Sequence, residues 1–513
     1  MRLAEQRSSR MHLSRSIAVP GLLVAALALT GCASGAATGG SSDGSSGLAV
    51  GITSSIQSLK PYPIGDPQLA VKRSLFDTLI TLNEGLEPEP RIAESWEIDD
   101  ASTSLTLTLR DGVLFSDGTA VDAEAVVWNL EYAQDPEAGL QGAGVLGGAE
   151  FSAVDESTVE IALASSTPQI FSLLNNIVII SPESFEVIDS APIGSGPYVI
   201  DTFDPGSALS LVPNESYWDD APLASEIDFR TYPDSSALVA AVQSGGVDVA
   251  YQVPFSDVSR LSEGTTKTLI VPGAGNFNIM VQSAEGPTAD PRVRQALGYA
   301  LDRERFADTF LNGVTASSCI MWPASSPAYD AAMETCEFDL DKAAALLAEA
   351  GYADGFDIEF VINRATVSEL ADFAQVYQAD LATIGVNLTI SEVEETEIIR
   401  TAIAADFTGM VGHRYGFANQ DPAFAFGALP FRGTENPTRF DSDEWRGFIS
   451  DGQLSTTREE RMDAYRAAAA FLAQQAFNLP MANQPRALAM AADLEGLTLG
   501  NGDLALNLTS ASK

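Results

Sequence analysis

The sequence predicts an α/β protein with at least two domains. Strand-like and helix-like patterns alternate along the 513 residues, and this alternation is typical of mixed α/β domains. The chain is also longer than a single hydrophobic core usually supports. No internal repeat of solenoid length is visible, so we expect separate domains rather than a stacked array.

The N-terminus has the pattern of a secretory signal peptide over residues 1–31. Four arginines precede an apolar run from Ile17 to Thr30, which is too short to span a bilayer as a permanent helix. The run ends in Leu29-Thr30-Gly31-Cys32, which resembles a bacterial lipobox. We therefore expect Cys32 to become the acylated N-terminus of an extracytoplasmic lipoprotein on the outer face of the cell membrane. An ordinary cleaved signal with an incidental cysteine is the alternative.

The segment 32–47 is predicted to be the lipidated cysteine followed by a flexible tether. Residues 33–47 are almost entirely Ala, Gly, Ser and Thr. Such a composition cannot bury a hydrophobic core. The folded part of the chain is therefore expected to begin at residue 48.

The charge of the chain excludes several classes of partner. There are 28 basic and 70 acidic side chains, which give a formal net charge of −42 at pH 7. Nucleic acid and anionic membrane surfaces both require dense positive charge, so we exclude them as partners of the folded part. The acidic surface indicates solubility and does not by itself indicate a ligand.

The cysteines predict one disulfide and no metal site. With Cys32 assigned to lipid, Cys319 and Cys336 remain as an even pair in an oxidising compartment. A bond between them would contribute about 3 kcal/mol in the chain-entropy model. Zinc would need further ligands, and His413 is the only histidine beyond the signal region.

Two strands and three helices stand out. Residues 48–52 form the first strand, and Leu105, Leu107 and Leu109 alternate with threonines in a second, which pairs in a hairpin with residues 96–98. The first helix begins at Asp290-Pro291 and is expected to end at Asn312-Gly313. The second runs from Asp339 to Ala350. The third begins at Thr456, with Glu459 completing a capping box, and continues toward Pro480.

Several motifs resemble those of one protein family. In chain order they are Leu75-Phe76-Asp77-Thr78-Leu79, Pro90 to Ile98, Leu109 to Thr119, Gly194-Ser195-Gly196-Pro197-Tyr198, Asn214 to Trp218, Ser244 to Asp248, Asp290 to Leu297 and Ala348 to Tyr352. Together they are similar to the family-5 extracytoplasmic solute-binding proteins, the peptide-, dipeptide- and nickel-binding lipoproteins of ABC importers. Each motif also has turn or packing chemistry of its own, so the motifs indicate the fold and not the ligand.

The resemblance implies a two-lobed periplasmic-binding-protein-like fold of the cluster C type, with a double-crossing hinge. Lobe I would comprise residues 48–276, with an extra subdomain at about 62–185, and the returning segment 483–513. Lobe II would comprise residues 277–482. We expect the crossings near Gly275 to Gln282 and near Pro480 to Pro485, with the ligand enclosed between the lobes.

The resemblance also implies a function and a set of ligand-binding residues. A monomer would capture a small solute, an oligopeptide or dipeptide first among them, and deliver it to ABC permease subunits. A sugar, a metal chelate or an amine is the alternative ligand, and a surface receptor or chaperone without an importer is the alternative role. The implied ligand-binding residues are Ser54, Ser55, Asn276, Phe277, Asn278, His413, Arg414, Tyr415, Phe417, Asn419 and Asp421.

Individual residues in this set keep two interpretations. The family's amine-binding acid is replaced by Ala418, and Asp421 either substitutes for it or caps a helix. Arg414 pairs with a ligand carboxylate or with a surface acid. His413 binds nickel or is a structural histidine. The amides of Asn276 and Asn278 contact the ligand or satisfy a buried turn.

The sequence argues against an enzyme and predicts no cofactor. Residues 40–44 fit the pattern of a nucleophile elbow, but they lie in the tether with no strand before them and no helix after them. A catalytic triad would have to use His413. Ser510 and Lys513 match a Ser-x-x-Lys pattern only at the last four residues, where a rigid site is not expected.

Overall fold

A computed structural model describes residues 47–62, 68–83, 85–140, 142–271, 273, 275–365, 367–416, 421–426, 431–433, 436–500 and 505–513, and of Glu395, Tyr415 and Gly416 it describes the backbone alone. The predicted signal peptide and Cys32 lie outside these residues, as do Phe417, Ala418 and Asn419. No helix in the described part of the chain is long and apolar enough to cross a membrane.

Helices and strands are interspersed along the whole described chain. Up to residue 271 the elements are β1 (Leu48–Ile52), α1 (Gln68–Leu75), β2 (Ile80–Leu82), β3 (Pro88–Pro90), β4 (Ala93–Ile98), β5 (Ser104–Leu109), α2 (Ala123–Gln134), β6 (Glu150–Asp155), β7 (Thr158–Ala162), α3 (Ile170–Leu174), β8 (Tyr198–Asp204), β9 (Ala208–Pro213), β10 (Ile227–Thr231), α4 (Ser235–Gln243), β11 (Val249–Ala250), α5 (Val258–Leu261) and β12 (Thr266–Val271).

The second half of the chain also contains both helices and strands. Its elements are β13 (Gly275–Val281), α6 (Pro291–Tyr299), α7 (Arg303–Arg305), α8 (Leu340–Glu349), β14 (Phe356–Ile362), α9 (Ser368–Thr383), β15 (Val386–Glu392), α10 (Glu395–Ala404), β16 (Met410–Gly416), α11 (Pro422–Ala425), α12 (Asp443–Leu454), α13 (Arg458–Gln475), β17 (Asn478–Asn483), β18 (Arg486–Ala491), β19 (Thr498–Leu499) and β20 (Leu506–Asn507). Short 3-10 or π turns supplement them, such as Phe306–Phe310.

A seven-stranded sheet combines both ends of the chain. Its strand order is β12-β18-β11-β1-β10-β9-β8, so the C-terminal strand β18 lies between β12 and β11. The predicted strand at residues 48–52 is confirmed as β1, which runs parallel to β10 and β11. Its buried side chains Val50 and Ile52 pack with Phe229 and Leu488 in one core cluster.

A four-stranded antiparallel sheet lies between residues 93 and 162, in the order β4-β5-β7-β6. The predicted strand with alternating leucines is confirmed as β5. Leu105, Leu107 and Leu109 are buried while the residues between them are partly exposed. The predicted hairpin is confirmed too, because β4 pairs antiparallel with β5.

A five-stranded mixed sheet has the order β15-β14-β16-β13-β17. One face packs Phe277 and Ile279 against helix side chains such as Leu297 and Tyr377. Pro480 lies within β17, which is an edge strand, and the register shifts between Phe277 and Asn278 opposite it. Proline is tolerated at an edge or a bulge because it lacks the N–H that a central strand would use.

The three predicted helices exist, but three of their boundaries were wrong. Asp290 caps α6 as expected, yet the helix ends at Tyr299, because Asp302 accepts a hydrogen bond from the Arg305 N–H and starts a new helix. The third helix is capped by Thr457, not Thr456. It ends at Gln475 rather than continuing toward Pro480, since β17 begins at Asn478.

The predicted disulfide between Cys319 and Cys336 is confirmed, with Cα atoms 5.5 Å apart. The Cys319 N–H donates to Glu334 Oε1 at 2.8 Å. Next to it, the Ser318 N–H donates to the Met481 carbonyl at 2.9 Å. The bridged segment therefore lies against the edge of β17.

The motif Gly194-Ser195-Gly196 forms a tight corner against the end of α1. The Gly196 N–H donates to the Leu75 carbonyl at 3.0 Å, and Ser195 Oγ donates to the Ile179 carbonyl at 2.9 Å. A Cβ on Gly196 would lie 2.5 Å from the Leu75 carbonyl carbon and 2.6 Å from the Phe76 nitrogen. Only glycine fits this approach of two backbones.

We expect Gly196→Ala to lower the free energy of unfolding by about 1–3 kcal/mol, because backbone atoms cannot move aside as a side chain can. Gly447→Ala is the matched control. Gly447 lies inside α12 with open space around its missing Cβ, so alanine there should raise stability by about 0.5–1 kcal/mol. Urea unfolding followed by tryptophan fluorescence measures both. Equal effects of the two substitutions would contradict the close packing of the corner.

Candidate functional site

The chain passes between its two largest sheets twice, at β13 and at β17. It leaves the seven-stranded sheet after β12 and enters the five-stranded sheet at β13, and it returns from β17 to β18. β13 and β17 are antiparallel neighbours. All seven residues of β13 are buried.

Four asparagines lie on one face of these two strands. They are Asn276 and Asn278 on β13 and Asn478 and Asn483 on β17, and we call them the asparagine cluster. Phe277 and Leu479 belong to the opposite, apolar face, because successive side chains of a strand alternate between faces. Asn276, Asn278 and Asn478 are buried.

Hydrogen bonds hold the cluster to its surroundings. Asn278 Nδ2 donates to Asn478 Oδ1 at 2.7 Å, and Asn276 Nδ2 donates to the Met321 carbonyl at 2.7 Å. Met321 belongs to the same core cluster as Leu105 and other residues of the four-stranded sheet. The asparagine cluster thus lies between the five-stranded sheet and a segment that packs with the N-terminal part of the chain.

His413 adjoins the cluster as a neutral ring. It pairs with Asn278 across β16 and β13, and its Nε2 lies 3.2 Å from Asn278 Nδ2. Burial lowers the pKa of His413 to about 4, although a hydrogen bond with the Arg414 backbone opposes that shift. The imidazole is therefore uncharged near neutral pH, and Nε2 is assigned as the acceptor of the Asn278 N–H.

The amide oxygens of Asn278 and Asn483 accept nothing from the described residues. Asn278 Oδ1 and Asn483 Oδ1 are both buried and have no hydrogen-bond donor there. A buried acceptor without a donor costs about 1–3 kcal/mol. The geometry therefore offers two acceptors to a molecule that brings N–H or O–H groups.

The structure describes the other predicted site residues in different degrees of detail. Arg414 is exposed and pairs with Phe277, so it projects from the opposite face of β16 from His413. Ser54 is exposed, and Ser55 accepts a hydrogen bond from Gln57 Nε2 at 2.9 Å. For Tyr415 only the backbone is described, opposite Asn276. Roles for these residues in ligand binding stay predictions.

Asp421 has structural partners. Its carboxylate caps α11 by accepting from the Ala423 N–H at 3.0 Å, and Oδ2 accepts from the Ser172 hydroxyl at 2.6 Å. Close by, a Cβ on Gly142 would lie 2.3 Å from the Phe424 ring. These contacts join α11 to the segment around α3. The helix cap, which was one of the two interpretations of Asp421 from the sequence, is present. A ligand-binding role for Asp421 stays a prediction.

Sequence reasoning missed Asn478 and Asn483. Both lie in a run, Asn-Leu-Pro-Met-Ala-Asn, that is otherwise apolar. A polar residue at each end of a buried strand was the available signal. Their position beside Asn276 and Asn278 depends on the pairing of strands about 200 residues apart in sequence.

Two other features are distinct from the cluster. Cys319, Glu334 and Cys336 place ligand-type atoms within 4.8 Å of one another, but the two sulfurs are bonded to each other and offer no thiolate. A cavity of about 470 Å³ lies beside α1 and the C-terminal residues 505–510. Asp77 and Arg91 line it and form an ion pair at 2.6 Å.

The sequence matches a family of known proteins and several of its members. The sequence model described as bacterial extracellular solute-binding proteins, family 5 Middle, matches residues 87–435. The glutathione-binding protein GsiB of Salmonella paratyphi A is 29% identical over 363 residues, which cover 68% of this chain and 69% of that protein.

Solved structures show the fold. The dipeptide-binding protein of Pseudoalteromonas sp. SM9913 in complex with Met-Leu has a TM-score of 0.75 and 23% identity, covering 91% of this chain and 100% of that one. NikA of Brucella suis in complex with Fe(III)-EDTA has a TM-score of 0.81 and 21% identity, covering 91% and 99%. The predicted α/β binding-protein fold is confirmed, and the relatives are binding proteins rather than enzymes, as predicted.

We expect His413 to titrate well below the usual histidine pKa of about 6.5. Because the pKa of His413 is about 4 in the folded chain, His413 takes up a proton at a higher pH in the unfolded chain than in the folded chain. The contribution of neutral His413 to stability is complete above pH 6.5 and is lost as pH falls toward 4. His413 is the only histidine after residue 47, so its NMR ring signal in a chain lacking residues 1–47 is unambiguous. A midpoint near 6.5 in the folded protein would contradict the burial, and urea-unfolded protein provides the control.

Proposed function

The chain belongs to the bacterial extracellular solute-binding proteins of family 5, the binding components of ABC importers, and from this premise we propose that it captures a small peptide or a peptide-like solute between two lobes. Delivery to a membrane permease follows from that role. In this proposal lobe I comprises residues 48–276 and 483–513, with a subdomain at about 62–185, and lobe II comprises residues 277–482.

The observation that carries the peptide assignment is the asparagine cluster at the two crossing strands. Side-chain amides offer N–H donors and carbonyl acceptors, the same two groups that a peptide backbone presents. The cluster lies where the chain passes between its two large sheets. A site at such a crossing is covered or opened when the two parts rotate about the strands that join them.

Relatives support a peptide-type solute without deciding it. GsiB is a glutathione-binding protein, and the Pseudoalteromonas protein was solved with Met-Leu. The Brucella protein with Fe(III)-EDTA shows that the same fold also holds a chelate. A non-peptide solute is therefore the second candidate, because fold alone does not determine the ligand.

We expect Met-Leu or glutathione to stabilise the mature chain. A ligand at a hundredfold excess over its Kd should raise the free energy of unfolding by about 2.7 kcal/mol. The measurement is native mass spectrometry of molecules that co-purify, followed by thermal melting with each compound. Maltose and Ni-EDTA serve as matched non-peptide probes. A shift with either of these and none with peptides would overturn the peptide assignment and leave only the binding role of the family.

We also propose that Cys32 carries the lipid that holds the protein at the outer face of the cell membrane. Cys32→Ala should abolish incorporation of labelled palmitate and move the protein from the membrane fraction to the medium or periplasm. Ser41→Ala, in the predicted tether, is the control and should change neither property. Labelled, membrane-bound protein from the Cys32→Ala gene would disprove the anchor.

A further inference from the structure

Resting on the proposed function, we infer that the asparagine cluster recognises uncharged N–H groups of its ligand. The ligand class is then peptides with a blocked amine, such as N-acylated peptides, rather than peptides held by a free ammonium group. Asn278 and Asn483 are the residues that determine this specificity.

The orientation of Asn278 is set by the groups around it. Its Nδ2 donates to Asn478 Oδ1 at 2.7 Å and faces His413 Nε2 at 3.2 Å. Both contacts use the NH2 end of the amide, and His413 can accept because it is neutral. The carbonyl oxygen of Asn278, Oδ1, therefore has no donor among the described residues.

Asn483 supplies the second acceptor from the other crossing strand. It pairs with Asn276 across β17 and β13, so its side chain shares the face of the cluster. Its Oδ1 also has no donor within the part of the chain described here. Two acceptors on adjacent strands can each accept a hydrogen bond from an N–H group of one peptide-like ligand.

Charge decides between a neutral N–H and an ammonium group. The asparagines and His413 provide no negative charge on this face. Asp421, the acid that the sequence offered for this role, already accepts from Ser172 and from the Ala423 N–H. Residues 417–420 are Phe, Ala, Asn and Gln, which add no charged side chain wherever they lie. A buried ammonium without a carboxylate is costly, whereas an amide N–H is satisfied by an amide oxygen.

Isothermal titration of the mature chain, purified in detergent with any lipid retained, compares N-acetyl-Met-Leu with Met-Leu. We expect the acetylated dipeptide to bind at least tenfold more tightly. Equal or tighter binding of Met-Leu overturns this inference and leaves the proposed peptide function intact. If neither dipeptide binds, nor glutathione, the proposed function fails and this inference fails with it.

The variant Asn278→Asp tests whether Asn278 determines the preference for a blocked amine. A carboxylate at this position supplies the missing charge, so the preference for N-acetyl-Met-Leu over Met-Leu should fall at least tenfold. Gln243→Glu makes the same chemical change at an exposed position in α4 and should leave the preference unchanged. An unaltered preference in Asn278→Asp overturns the assignment. Should that variant fail to fold by its melting curve, Asn483→Asp provides the same measurement with the same criteria.

Discussion

The pairing of β13 with β17 is the constraint on which the rest of the molecule depends. Through these strands the chain enters and leaves the five-stranded sheet. Their apolar face packs Phe277 and Leu479 into the helix-covered core. A strand buried on both faces normally carries apolar residues on both. The asparagines on the second face therefore need a reason beyond packing, and the proposed binding role provides it.

Electrostatics sets the asparagine cluster apart from the buried charges of the chain. Where charge is buried elsewhere, the polar partners are close: Asp77 accepts from Arg91 and from the Trp218 indole N–H, and Arg303 donates to the Pro480 and Gly298 carbonyls. At the cluster the polar groups are neutral amides and a neutral imidazole. Neutral groups cost less to desolvate than charges, so in the proposed function such a surface can be covered and uncovered as the two lobes move.

Most of the sequence predictions that depend on residues close together in the chain were correct. The β5 leucine pattern, the Asp290 cap and the second helix near Asp339 to Ala350 depend on residues within one turn or strand, and they were predicted. The end of the first helix was not, because Asp302 offers a second cap that competes with continuation. Strand pairing brought Asn478 and Asn483 to the site, and no local pattern contains that information.

By itself the sequence determined the α/β class, the motifs of the family, the disulfide partners Cys319 and Cys336, and two of the four asparagines of the candidate site. These follow from periodicity, turn chemistry and residue counts, which are local properties. The tertiary structure was needed to show that Asp421 contacts Ser172 and that Arg414 lies on the other face of β16. It also showed that Asn278 Oδ1 and Asn483 Oδ1 have no donor among the described residues. Each of these features depends on which distant strands and helices meet. Each is therefore a result of the packing of the whole chain.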